Sequence, residues 1–160
     1  MNLKDELGLQ KGFESPNHEG LLSVFFTGEL IRKQGRDFFK EFGLTEIQFN
    51  ILSLIHYQAE PGRGLNQNEL SRMMLVNRSN MTGLIDRMEK AGLVRRVEIP
   101  RDRRFNEIRV TPKGSRLYKQ VEDGYMESVD QVMGVLTENE RKSLVGMLGR
   151  LRDSLKGRKA

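Results

Sequence analysis

The run Asn77-Arg78-Ser79-Asn80-Met81-Thr82-Gly83-Leu84-Ile85-Asp86-Arg87-Met88-Glu89-Lys90-Ala91-Gly92 leads into Leu93-Val94-Arg95-Arg96-Val97-Glu98-Ile99, a turn at Pro100-Arg101-Asp102-Arg103-Arg104, and a return Phe105-Asn106-Glu107-Ile108-Arg109-Val110-Thr111. In the first half, Val76, Met81, Leu84, Ile85 and Met88 fall at helical spacing. Asn77 is a good N-cap, and Gly92 sits where a helix closes on a left-handed residue. These signals predict a helix of about four turns. After Gly92 the period becomes two: Val97 and Ile99 alternate with Arg96 and Glu98, and Ile108 and Val110 with Glu107 and Arg109. That pattern predicts a two-stranded hairpin with a basic tip. The helix turns Met81, Leu84, Ile85 and Met88 inward and leaves Arg78, Ser79, Asn80, Thr82, Gly83 and Arg87 to face a partner. A polar helix face beside an arginine-tipped hairpin suits duplex nucleic acid, with the helix in a major groove and the arginines at the minor groove and phosphates.

Charge points the same way. The chain carries a net +5, but residues 72–119 hold 13 Lys or Arg against 5 Asp or Glu, a net of +8 that leaves the remainder at −3. A basic block that coincides with a helix-hairpin unit is the footprint of a polyanion, and nucleic acid fits it better than a membrane; the competing reading is a solvated charged surface. At 160 residues and 37% hydrophobic, the chain suffices for one domain, or a small domain with an oligomerisation module. It has no run of 18 apolar residues and no signal-peptide apolar region, so no membrane association and a cytoplasmic location are expected. Without cysteine there is no disulfide, thiolate metal site or thiol switch. With two histidines, no nucleophile paired to a base and no phosphate-cradling loop, the chain does not read as an enzyme, and no cofactor or metal is expected.

Residues 1–14 read as a flexible arm without a clear period. Ser15-Pro16 then caps a long helix to about Phe42, with proline at its first position. Its apolar residues, Leu21, Leu22, Val24, Phe25, Phe26, Leu30, Ile31, Phe38, Phe39 and Phe42, exceed one stripe and predict two buried faces. The phenylalanines around 38–49 read as core or as the wall of a small-molecule pocket. Thr45-Glu46-Ile47-Gln48 is a capping box opening a helix to about Tyr57. His56 and Glu60 stand four apart, a pair with no third metal ligand, so a surface or core histidine is the competing reading. Asn66-Gln67-Asn68-Glu69 caps a short helix through Met74. Short helix, turn at Leu75-Val76-Asn77, second helix and hairpin together make a helix-turn-helix with a wing.

The runs Leu44-Thr45-Glu46-Ile47-Gln48-Phe49-Asn50-Ile51-Leu52, Leu65-Asn66-Gln67-Asn68-Glu69-Leu70-Ser71, Asp86-Arg87-Met88-Glu89-Lys90-Ala91-Gly92-Leu93-Val94, and Pro100-Arg101-Asp102-Arg103-Arg104 followed by Val110-Thr111-Pro112-Lys113-Gly114, resemble in their order the MarR family of bacterial transcription regulators. The resemblance covers nearly the whole chain from about residue 18. It implies a mainly α fold with a small β wing: a winged helix-turn-helix domain over 43–111 and a helical dimerisation region from 15–42 and 112–160. Carried over by position, Asn77, Arg78, Ser79, Asn80, Thr82 and Arg87 line the DNA groove, and Arg101, Arg103 and Arg104 form the wing tip. Asp86 matches the acid that orients the wing by pairing with an arginine, here Arg104, against the alternative of a solvated helix acid. Two positions depart from the pattern. Leu75 stands where relatives often have glycine, and Gly83 where they often carry a long polar residue, at a helix cost of about 0.5–1 kcal/mol against alanine.

The last third supports a dimer. Thr111-Pro112 caps a long helix with Leu117, Val121, Tyr125, Val129, Val132, Met133 and Leu136 at three and four spacing. Thr137-Glu138-Asn139-Glu140 is a capping box for a helix carrying Leu144, Val145, Met147, Leu148, Leu151 and Leu155. The first helix of the same subunit is one way to cover these stripes, and a shared dimer core buries more. The expected function is a homodimeric, sequence-specific regulator of double-stranded DNA at a pseudo-palindromic operator, most simply a repressor; the resemblance implies relief by a small aromatic effector, with Phe25, Phe26, His56 and Tyr57 as candidate ligand residues against the competing reading that packing explains all four. The alternatives are a winged-helix protein-interaction module and a non-specific architectural DNA binder.

Overall fold

The structure is a computed structural model that describes residues 2–60, 62–99 and 102–157, and of residues 99 and 102–105 the backbone alone. Its elements run α1 (Leu3–Glu6), α2 (Pro16–Glu41), α3 (Glu46–Gln58), β1 (Leu65–Asn66), α4 (Gln67–Met73), α5 (Arg78–Lys90), β2 (Val94–Ile99), β3 (Asp102–Val110), α6 (Pro112–Met133) and α7 (Glu138–Gly157). The chain divides into two compact units, one up to Tyr118 and one from Lys119. No described helix is long and apolar enough to cross a membrane.

Local chemistry sets the helix boundaries. Ser15 accepts from the His18 amide at the start of α2, with Pro16 at its first position. Thr45 and Gln48 exchange reciprocal hydrogen bonds in a capping box that opens α3, and Asn66 and Glu69 do the same for α4. Helix α5 ends on Gly92 at φ +71°, where Leu93 N–H reaches Met88 O at 2.9 Å and Gly92 N–H reaches Glu89 O at 2.9 Å, closing a Schellman motif. The Thr111 hydroxyl donates to Gly92 O at 2.6 Å and accepts from the Gly114 amide at 3.0 Å, so it touches both the exit of α5 and the first turn of α6.

Between α4 and α5, Leu75 adopts φ +52°, the left-handed conformation that glycine takes without cost. A leucine held in this conformation stores strain in the turn, about 1–2 kcal/mol for a residue with a Cβ. The hairpin also differs from expectation. Strand β3 starts at Asp102 and pairs with β2 from Val94↔Val110 to Ile99↔Asp102, with an irregularity at Glu98/Ile99, so the turn is shorter than 100–104. A third strand, β1, joins β3 through Leu65↔Ile108 and Asn66↔Glu107, giving the antiparallel order β1-β3-β2 in place of two strands. The N-terminal segment, expected as a flexible arm, contains one helical turn, α1, capped by Asn2.

The core of the first unit holds Phe39, Phe49, Leu52, Leu70, Met81, Ile85, Met88, Val94 and Ile108. The Phe49 ring lies 4.9 Å from Phe39 and stacks on Tyr118 at 5.4 Å, so these phenylalanines are core. Helix α2 does not bury two faces in the single chain: its one buried residue is Phe39, and Leu21, Val24, Phe25, Leu30 and Ile31 are exposed. In the second unit, Thr137 and Glu140 form the expected cap of α7, and Arg141 donates to Met133 O at 3.2 Å. Helix α7 buries no residue and exposes Val145, Met147, Leu151 and Leu155.

Candidate nucleic-acid interface

Helix α5 is two-faced in the way its sequence requires. Met81, Ile85 and Met88 are completely buried, while Asn77, Arg78, Ser79, Asn80, Thr82, Asp86 and Arg87 are exposed. The exposed residues are not equivalent. Asn77 Oδ1 accepts from the Asn80 amide and the Ser79 hydroxyl, both at 2.9 Å, so Asn77 and Ser79 serve the cap. The Thr82 hydroxyl donates to Arg78 O at 3.0 Å and accepts from Gln67 Nε2, which also donates to Arg78 O at 3.3 Å. Arg78, Asn80 and Arg87 form no side-chain hydrogen bond or ion pair among the described residues, which leaves their donors available. The Arg87 guanidinium lies over Gly83, its Nη1 3.5 Å from where a Cβ would stand.

Asp86 pairs with a wing-strand arginine. Arg96 Nη2 meets Asp86 Oδ1 at 2.6 Å, Arg96 Nη1 pairs with Glu89, and the Arg96 amide donates to Glu89 Oε1 at 2.9 Å. One arginine of β2 thus holds two acids of α5, and these hydrogen bonds outweigh burial to hold its pKa above the ordinary value. The pairing expected with Arg104 lies outside the described side chains, as do the side chain of Arg103 and the whole of Arg101. The backbone of β3 carries positions 103 and 104 next to its start.

Glu107 departs from the alternation read in the sequence, which turned it outward. It is 5% exposed, and its carboxylate accepts from Arg109 Nη2 at 2.8 Å and Nε at 3.0 Å, from the Gly64 amide at 3.1 Å and from Arg63 Nε at 3.2 Å. The Arg109 hydrogen bonds hold its pKa below the usual carboxylate range against the upward push of burial, with Gly64 and Arg63 adding to the depression. Gly64 is fixed by close approach: a Cβ there would stand 2.2 Å from Ile108 O.

A cavity of about 490 Å³ opens beside this cluster, lined by His56, Arg63, Arg95, Arg109, Ser115 and Tyr118 among others. The His56 ring lies 4.9 Å from Tyr118, making it the ligand candidate that reaches the cavity. Tyr57 packs edge-on against His56 outside its lining, and Phe25 and Phe26 form a separate edge-to-face pair at 5.7 Å. Glu60 also lines the cavity, and Arg63 and Arg109 are engaged by Glu60 and Glu107, so the lining offers two aromatic rings and a largely compensated set of charges. Sequence reading missed Gln67, Arg96, Arg63 and Glu107. Arg96 and Glu107 looked like the polar half of an alternating strand, and Gln67 like an ordinary first-turn residue.

A family model described as the MarR family matches residues 42–104. The transcriptional repressor YetL of Bacillus subtilis is 30% identical over 137 residues, spanning 86% of this chain and 81% of that protein. AbsC, a MarR family regulator from Streptomyces coelicolor, has a similar structure with a TM-score of 0.82 at 23% identity, covering 92% of this chain and 100% of AbsC. Sco3205 of the same organism, solved in complex with DNA, gives 0.80 at 23% identity over 91% of this chain and 92% of its own. At that identity the two structures establish the shared fold.

Proposed function

This chain belongs to the MarR family of non-enzymatic, DNA-binding transcription regulators, and from that premise we propose that it is a homodimeric repressor reading a pseudo-palindromic operator. The observation that carries the reading is the two-sidedness of α5: a fully buried apolar face opposite exposed Arg78, Asn80 and Arg87. In this reading α5 enters the major groove, where Asn80 suits adenine and Arg78 or Arg87 suits guanine or phosphate. Asn77 and Ser79 shape the helix entrance, Thr82 stiffens the face, and Arg101, Arg103 and Arg104 supply the wing. Asp86, held by Arg96, orients the wing strand against α5. A second copy covers the apolar residues left exposed on α2 and α7, and the paired subunits then address half-sites about 10 bp apart.

Repression at its own promoter fits a relative named as a repressor. A small aromatic compound in the cavity beside His56 and Tyr118 relieves repression by binding the DNA-incompetent state more tightly. The test is a gel shift of the full chain on DNA upstream of its own gene, titrated with salt and with unlabelled random duplex. Specific binding as a dimer, with a log-log salt slope of about −0.9 per neutralised phosphate, is expected. Binding indifferent to sequence points to an architectural role, and absence of binding at low salt to a protein-interaction module. Replacing both Arg103 and Arg104 by alanine is expected to weaken operator binding and flatten the salt slope while leaving the fold intact.

A further inference from the structure

Among the described residues, Glu107 is the one buried charged side chain, and nothing in base reading uses it. A carboxylate withdrawn from water persists as an ion where cationic and N–H donors meet it from fixed positions. Here those donors come from two places in the chain. Arg109 belongs to the same strand, two residues on; Arg63 and the Gly64 amide belong to the segment between α3 and β1. The carboxylate is therefore a bridge from β3 to that segment.

The bridge lies where the fold is otherwise thinly tied. Strand β1 contributes two residue pairs to β3. The next residues along lead directly to the DNA-facing helix: Asn66 caps α4, and Gln67 reaches across to Arg78 O and Thr82 on α5. In the other direction, β3 runs from Glu107 back to Arg104 and Arg103, a lever of roughly 13 Å at the strand rise of about 3.3 Å per residue. A tilt of about 10° at such an anchor displaces the lever's end by roughly 2 Å, enough to break a hydrogen bond to a phosphate.

We propose that Glu107 is a positioning residue for DNA binding: through Arg63 and the Gly64 amide it sets the wing strand against the helix-turn-helix, so that wing arginines and α5 engage one duplex together. This rests on the DNA-binding reading above.

The test uses the full-length chain and two substitutions, Glu107→Gln and Arg63→Gln, with two readouts. The first, without DNA, is amide exchange at Gly64, Leu65 and Asn66, expected to speed up by about tenfold or more in Glu107→Gln and by less in Arg63→Gln. The second is operator affinity against salt and against a panel of base substitutions. Glu107→Gln is expected to weaken binding by about tenfold and to reduce the slope by about 2 for a dimer, one phosphate contact per subunit. The ranking of base substitutions under α5 is expected to stand, a separation that general loss of structure does not produce. An unchanged slope overturns the proposal, as does a slope lost together with base discrimination. Should Glu107→Gln fail to fold, Arg63→Gln decides alone, because its side chain is more than half exposed, and an unchanged slope there is equally fatal. If the unsubstituted chain binds no DNA, the functional reading falls, while the exchange rates still decide whether Glu107 anchors the strand.

Discussion

Helix α5 is fastened by Met81, Ile85 and Met88, all completely buried, whereas the strands beside it add ions to their apolar anchors Val94 and Ile108: Arg96 pairs with Asp86 and Glu89, and Glu107 with Arg63 and Arg109. Apolar burial is indifferent to pH and salt and proportional to area. Ion pairs depend on protonation and geometry and weaken as they become exposed. The seat of α5 is thus indifferent to pH and salt, and the ionic part of the strands' attachment is the part that substitutions and conditions can change while α5 stays in place.

The largest effect should come from the apolar side. Ile85→Ala is expected to cost about 2–5 kcal/mol in denaturant unfolding, since it empties a fully buried site. A cost below about 1 kcal/mol would erase the contrast. On the ionic side, Arg96→Ala strands two acids that are themselves half exposed, so its stability cost is limited to about 1 kcal/mol. Under the proposed docking of α5 its cost in operator affinity should be larger, because Asp86 and Glu89 would then face the phosphates without their arginine. Equal affinity in gel shift would remove the clamp from the functional account.

Acid unfolding sharpens the comparison further. The folded-state pKa of Glu107 is depressed, so the unfolded chain takes up the proton first as pH falls. Its contribution is fully present above the unfolded value of about 4.3 and is lost as pH drops through the lower folded value. Wild type should therefore lose stability across that interval more steeply than Glu107→Gln, measured as denaturant midpoint against pH, and parallel curves would show that Glu107 contributes no linkage. The smallest effect belongs to Leu75→Gly. It relieves about 1–2 kcal/mol of backbone strain and gives back about 0.5–1 in unfolded-state entropy, for a net gain of about 1 kcal/mol or less in thermal unfolding. A loss instead would mean that this exposed leucine makes contacts worth more than its strain.

The apolar half of this contrast was legible in the sequence and much of the ionic half was not. Periodicity marked Met81, Ile85 and Met88 because a helix has one way to bury that spacing, and the capping boxes at Thr45, Asn66 and Thr137 are local enough to read directly. Strand β1 left no trace, since two residues carry no period. Glu107 was misplaced because strand alternation assigns a face without revealing that Arg63, 44 positions earlier, comes to cover it. Arg96 was not singled out as an Asp86 partner for a similar reason: which wing-region arginines come within reach of Asp86 depends on register, and charge patterning carries none. The exposed faces of α2 and α7 were expected to be buried because hydrophobicity shows that a surface must be covered without saying by which chain.

The Thr111 hydroxyl, which donates to the carbonyls of Gly92 and Leu93 just past α5 and accepts from the Gly114 amide, ties the exit of one helix to the first turn of another. Helix ends ordinarily fray independently, each losing its own cap. Here α5 keeps its own closure, but the residues that make it are held by the same hydroxyl that caps the first turn of α6, so the two should loosen together. That link spans 19 residues of sequence and lies beside the Val94↔Val110 end of the hairpin, so strand pairing and the shared hydroxyl close the same junction.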